Sequence, residues 1–99
     1  MGHDIYAGDK DGNEIAYIGF SGSSPLCVPF YTAMKAKKHN GGCAGNGGTK
    51  TYKLSDIHRA RREIRKCHLD AMYLKCAYDF FDLCVNALEN EQFITITFS

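Results

Sequence analysis

SDIHRARREIRKCHLDAMYLKCAYDFFDLCVNAL, residues 55–88, is the longest uninterrupted pattern in the chain and decides its architecture. Ile57, Ala60, Ile64, Cys67, Ala71, Leu74, Tyr78, Phe81, Val85 and Leu88 recur at alternating steps of three and four. That spacing draws an apolar stripe down one side of an α-helix. No glycine or proline breaks it, since all ten glycines and both prolines precede position 49. A single helix over this stretch would be about 50 Å long, whereas a compact chain of this size has a radius of gyration near 13 Å. The spacing therefore predicts a break around Cys67–Asp70, where His68 and Asp70 are weak helix formers and Asp70 can cap a second helix. The alternative is a continuous helix whose overhang is buried in a homodimer. Ser55 is placed to cap the first helix, and Asp56 suits the positive end of its dipole.

Outward from the helical stretch, Phe93–Phe98 alternates without fault, with Ile94, Ile96 and Phe98 facing one way and Thr95 and Thr97 the other. This is a strand with one buried face. At the other end, His3–Ala7 and Asn13–Phe20 are strand-like runs around the turn-forming residues Gly8-Asp9-Lys10-Asp11-Gly12, which predicts an antiparallel hairpin. Asp9 and Asp11 are too closely spaced for a calcium loop and lack its terminal Glu, so they read as turn residues. Between these ends, Pro29 suits the first turn of a helix over Phe30–Lys38, buried along Phe30, Ala33 and Met34 and stopped by Asn40-Gly41. Thr51–Leu54 reads as a short extended piece. The order of elements gives a small single α+β domain over residues 1–99. It has an antiparallel sheet of about three strands, packed by a short helix and a long or kinked helical segment.

Composition bounds the class. Ninety-nine residues that are 44% apolar and 23% charged form one globular core and are not a disordered chain. No run is long and apolar enough to span a bilayer, and the N-terminus carries neither a signal peptide nor a complete myristoylation motif. Five cysteines, an odd number, with three on the helical stretch, point to reduced thiols and a cytoplasmic location. Cys67, Cys76 and Cys84 read as small buried hydrophobes.

Few motifs carry chemistry. Gly45-Asn46-Gly47-Gly48-Thr49-Lys50-Thr51 partly resembles a phosphate-binding P-loop. However, Ala44 and Thr49 stand where its spaced glycines belong, and the helix does not follow directly after Lys50. A looser nest of backbone N–H groups for an anion remains compatible with these glycines. His39 with Cys43, and Cys67 with His68, lack the compact paired spacing of a structural zinc site. No metal and no cofactor are expected. Cys43 is the one cysteine in a glycine-rich loop, where a histidine could activate it as a nucleophile.

Charge is the stronger signal. The net charge of +1 conceals −3 over residues 1–34, +8 over 35–68 and −4 over 69–99. The basic segment, with Gly45, Gly47 and Gly48 of the loop and Lys50, Lys53, Arg59, Arg62 and Lys66 beyond it, is the candidate ligand-binding set. Clustered arginines and lysines are what phosphate backbones select, although no nucleic-acid-binding signature is present and the pI is near neutral. No set of acid, base and nucleophile assembles in the sequence. The leading expectation is thus a small non-catalytic binding module with a macromolecular partner, in the first instance a protein. The alternatives are a nucleic-acid or phosphate-ligand binder using residues 50–66 with the glycine-rich loop, and an enzyme centred on Cys43.

Overall fold

The computed structural model describes residues 2–21, 27–36 and 49–98. Seven elements follow in order: β1 (Gly2–Gly8), β2 (Glu14–Ser21), α1 (Cys27–Ala33), β3 (Thr49–Tyr52), α2 (Leu54–Arg65), α3 (Ala71–Leu88) and β4 (Ile94–Phe98). The architecture is α+β, with one four-stranded antiparallel sheet in the order β2-β1-β4-β3. The expected hairpin and final strand are both present. The fourth strand is the extended piece near Thr51, displaced to Thr49–Tyr52 and paired with β4 through Tyr52↔Ile94 and Lys50↔Ile96.

The turn between β1 and β2 is tied by Asp9. One carboxylate oxygen accepts from the backbone N–H of Asp11 and of Asn13, each at 2.9 Å, and Gly12 adopts φ +84°, the left-handed region that glycine enters without penalty. These donors hold the Asp9 carboxyl below its ordinary range. Opposite Ala7 and Gly8 the register slips past Ile15, so the regular part of β2 runs from Ala16 onward.

One face of the sheet is buried under the helices. Ile5, Ala7, Ala16, Ile18, Tyr52, Ile94, Ile96 and Phe98 lie there, as strand alternation requires. At the core's centre Phe30 stacks parallel to Phe81 at 5.4 Å between ring centroids, meets Phe80 edge-on at 5.5 Å and tilts against Phe20 at 5.7 Å. His3 is also buried and shares a 3.0 Å hydrogen bond with the Tyr31 hydroxyl. The opposite face carries Thr49, Thr51, Thr95 and Thr97 with the Tyr6–Tyr17 ring pair at 5.1 Å.

The predicted break divides the long stretch into α2 and α3. Lys66 N–H falls back on the Glu63 carbonyl and Cys67 N–H on the Ile64 carbonyl, His68 takes φ +51°, and the Asp70 carboxylate accepts from Tyr73 N–H at 2.7 Å to cap α3. The turn also resets the phase of the stripe. Ile57, Ala60 and Ile64 are buried on α2 as expected, but on α3 the buried set is Tyr73, Ala77, Phe80, Phe81, Cys84 and Leu88. Cys67 and Ala71 are exposed, because they fall in the turn and the first helical position instead of on a continuous stripe. Replacing His68 by Gly is expected to raise stability by up to about 1 kcal/mol, since a side chain in the left-handed region costs roughly that much. In an unbroken helix the same change would lower stability by about the same amount. A urea titration reads the sign.

Two helix ends differ from expectation. The N-cap of α2 is Lys53 and not Ser55. Asp56 sits at the third helical position and accepts from Lys53 N–H at 2.9 Å. That bond, with the Arg59 guanidinium beside it, holds the Asp56 carboxyl below its ordinary range. Helix α1 starts earlier and stops earlier than Phe30–Lys38. Lys35 takes φ +53°, and the N–H groups of Lys35 and Ala36 return to the carbonyls of Thr32 and Tyr31. This is a Schellman stop with lysine in the place usually taken by glycine. Two side chains from β3 complete it: Tyr52 hydroxyl donates to Met34 O and Lys50 Nζ to Lys35 O, both at 2.8 Å. Lys37, Lys38, Asn40 and Gly41, on which the longer helix and its stop depended, lie outside the described residues.

Candidate functional site

The basic residues of the expected ligand set are spread by the fold over several partners. Lys50 on β3 donates to the end of α1 and lies 5.5 Å from the Tyr52 ring centroid. Lys53 stands at the start of α2. Arg59 pairs with Asp56 at 3.1 Å and Lys66 with Glu63 at 3.6 Å, both along the same helix. Arg61, beside the apolar stripe, reaches across to α3, pairing with Asp82 at 3.3 Å and covering the Tyr78 ring at 4.4 Å. Arg62 is exposed and, like His58 and Arg65, lies on the outward side of α2, away from Ile57, Ala60 and Ile64. Gly45, Gly47 and Gly48 lie outside the described residues, as do His39 and Cys43. Lys50 and Thr51 sit within a strand, a setting unlike the helix start of a P-loop.

Among the described residues, Cys27, Cys67, Cys76 and Cys84 form no disulfide. Only Cys84 of the three helical-stretch thiols behaves as the expected buried hydrophobe, and burial pushes it up to about 12. Cys67 and Cys76 are exposed. Cys67 falls in the turn between helices, and Cys76 lies outside the phase that α3 buries. No described helix is long and apolar enough to cross a membrane. Among the described residues no three His, Cys, Asp or Glu side chains converge as a metal site would require.

Where the basic residues disperse, apolar ones gather. A groove of about 540 Å³ runs between β2 and α3, within the size range of binding clefts. Its α3 wall is Met72, Cys76, Asp79 and Leu83, and its β2 wall is Tyr17, Ile18, Gly19 and Phe20. Met72 is 77% exposed, Leu83 47% and Tyr17 49%. Met72 and Leu83 are two of the larger apolar side chains that the fold leaves in water, and they converge on this one surface, whereas the Tyr17 ring turns to the other face of the sheet against Tyr6. Such convergence marks interaction sites more often than scattered exposure does. Helix α3 thus has three working sides. One faces the core through Phe80, Phe81 and Cys84. A second meets α2 through Tyr78 and Asp82. The third lines the groove.

The β2 wall is positioned by its neighbours. Tyr17 hydroxyl donates to Asp4 Oδ1 at 2.7 Å, which raises the phenol above its usual range, and its ring packs along the strand over Gly19. A Cβ at Gly19 would collide with the Tyr17 hydroxyl. Phe20 is anchored from below by Phe30 and by Tyr73, the latter at 5.7 Å.

The charge of the groove also follows from the fold. Segments remote in sequence form its two walls: the N-terminal one contributes no charged residue to the described lining, and the acids come from the α3 side. Asp70 and Asp79 line it, no lysine or arginine among the described residues does, and Lys75 is engaged with Asp79 at 3.0 Å. None of these residues stood out in the sequence as a site. The available signal was on α3, where Met72, Cys76 and Leu83 form a second apolar row offset from the buried one. No protein-family model, characterised protein or solved structure matches the chain.

Proposed function

We propose that the chain is a small non-catalytic binding module of the cytoplasm whose partner is a protein, held in the groove between β2 and α3. The observation that carries this reading is the convergence of Met72 and Leu83, both substantially exposed, on one preformed apolar cleft that Ile18 and Phe20 line from the β2 side. Keeping apolar side chains in water is unfavourable by roughly 25 cal/mol per Å², so a partner that covers them gains that contribution. Interface cores use aromatic and methionine side chains of this kind. The exposed thiols of Cys67 and Cys76 accord with a reducing compartment.

The test is a displayed library of random peptides panned on the folded protein and on the Met72→Asp, Leu83→Asp double variant. Both side chains point into the groove, so the variant is expected to keep its circular dichroism spectrum and urea midpoint. The wild type should enrich a peptide family that the variant does not retain. No enrichment, or equal enrichment on both proteins, would sink the proposal.

A second reading rests on the outward side of α2, where His58, Arg62 and Arg65 have no ion-pair partner among the described residues. Arg62 and Arg65 supply cationic contacts for a nucleic-acid backbone, and His58 adds a polar ring beside them. Retention on immobilised DNA or RNA should then be strongest at low salt and fall steeply as salt rises. Absence of retention at low ionic strength removes it.

A further inference from the structure

Strand β2 ends the sheet, and among the described residues nothing pairs with its outer side. The other edge, β3, is four residues long and carries Lys50, two of the devices by which edge strands avoid unwanted pairing. β2 shows neither. Its eight residues, Glu14-Ile15-Ala16-Tyr17-Ile18-Gly19-Phe20-Ser21, hold no lysine and no proline. The single irregularity, at Ile15, lies near the hairpin and leaves Ala16–Ser21 straight enough to pair. The contrast between the two edges points to β2 as the one kept open for use.

The groove runs along this edge. Tyr17, Ile18, Gly19 and Phe20 all line it, yet successive residues of a strand point to opposite faces of a sheet. Consecutive residues share one cleft where it opens at the strand's margin and reaches their backbone. A chain laid there can bond to the free backbone groups of β2 while every second side chain drops toward Met72, Cys76 and Leu83. Main-chain bonds then supply affinity and alternate pockets supply selectivity, as in other cases of strand addition.

Charge selects the occupant. Asp70 and Asp79 line the cleft with no lysine or arginine among the described lining residues, and Glu14 stands at the head of β2; Lys75 takes up Asp79, so Asp70 and Glu14 carry the remaining negative charge. A second copy of this chain, joined β2 to β2 about a two-fold axis, would bring the same acidic groups to face one another. An extended segment with lysine or arginine between apolar residues would meet them with opposite charge, which favours encounter and register. Resting on the groove reading above, we infer that the partner contributes a basic, apolar-alternating segment that adds to β2 as a fifth strand.

The experiment uses two displayed nine-residue libraries that are apolar at alternate positions. Their remaining positions are Lys or Arg in one library and Asp or Glu in the other. The basic library should enrich at least tenfold over the acidic one. The strongest binder, made as a soluble peptide, should slow hydrogen exchange at alternate β2 amides between Ala16 and Ser21. N-methylation of its own alternate amides should weaken it at least tenfold. Asp70→Asn with Asp79→Asn, which keeps the α3 cap because asparagine caps as well as aspartate, should weaken it severalfold at low salt.

A peptide that is lost on Met72→Asp with Leu83→Asp, yet is indifferent to N-methylation and leaves β2 exchange unchanged, overturns strand addition while the groove stands. Equal enrichment of both libraries overturns the charge assignment. A peptide-free dimer by sedimentation, with β2 amides already protected, replaces the partner segment by a second copy. Failure of the random library above removes the groove itself.

Discussion

Replacing Phe30 by Ala is expected to destabilise the protein by roughly 3–5 kcal/mol, the usual range for emptying a buried aromatic site. Phe30 is fully buried and joins one ring from β2 to two from α3. Its loss removes three ring contacts and leaves a cavity that elements from three parts of the chain would have to collapse to fill. A domain of this size is commonly stable by only about 5–15 kcal/mol, so the variant should lie near its unfolding threshold at physiological temperature. Its melting temperature should drop by more than about 10 °C. Val28, two residues earlier on the same helix and exposed, provides the control. Val28→Ala should change stability by less than about 0.5 kcal/mol. Equal effects at the two positions would mean that α1 does not pack as described.

The second large effect is expected from a single oxygen atom. Tyr52 is almost completely buried, and its hydroxyl donates to Met34 O at 2.8 Å where α1 ends. Tyr52→Phe keeps the ring, and with it the packing against the core, but leaves a buried carbonyl without its donor. The cost should be about 1–3 kcal/mol. Amide exchange should accelerate selectively at Met34, Lys35 and Ala36, whose bonds close the helix. Burial raises the phenol far above its usual range, so the bond is intact throughout ordinary working pH, and the difference between the two proteins should be flat from pH 6 to pH 9. A stability change below about 0.3 kcal/mol would show that solvent replaces the tyrosine donor.

Much of this fold is legible in the residues themselves. Ile94, Ile96 and Phe98 announce a half-buried strand because the period of two has no competing reading. Asp70 announces the second helix because its carboxylate follows the weak helix formers around His68. The phase of α3 was not legible. Phe80 and Phe81 are adjacent and satisfy two stripes at once, and only the turn at His68 decides between them. β3 was legible as an extended piece but not as a strand of the sheet: of Thr49, Lys50, Thr51 and Tyr52 only Tyr52 is buried, so no alternation marks it, and its pairing with β4 is a long-range event. The early end of α1 likewise depends on Tyr52 and Lys50, which arrive from far along the chain.

The site was legible only as composition. The counts of basic and acidic residues in each segment were plain, but not that Asp56, Glu63 and Asp82 would occupy Arg59, Lys66 and Arg61. The cleft joins Tyr17–Phe20 to Asp70–Leu83, segments some fifty positions apart. Periodicity within either segment says nothing of their meeting. What could be read was the surplus: Met72 and Leu83 belong to no buried stripe, and apolar residues without a place in the core need some other explanation.

The order of strands bears on how the chain folds. β1 and β4 lie side by side in the middle of the sheet, with Ile5 opposite Phe98, so the central pairing links residues near opposite ends of the sequence. Closing a loop of that length costs on the order of 4 kcal/mol in chain entropy, which must be met before the pairing contributes anything. The β1–β2 hairpin and the α2–α3 pair need only local closure and should form first. Until β4 arrives, the inner side of β1 is as open as the outer side of β2. Slow refolding, with loss of yield as protein concentration rises, is the kinetic signature to be expected of a sheet assembled from its margins inward.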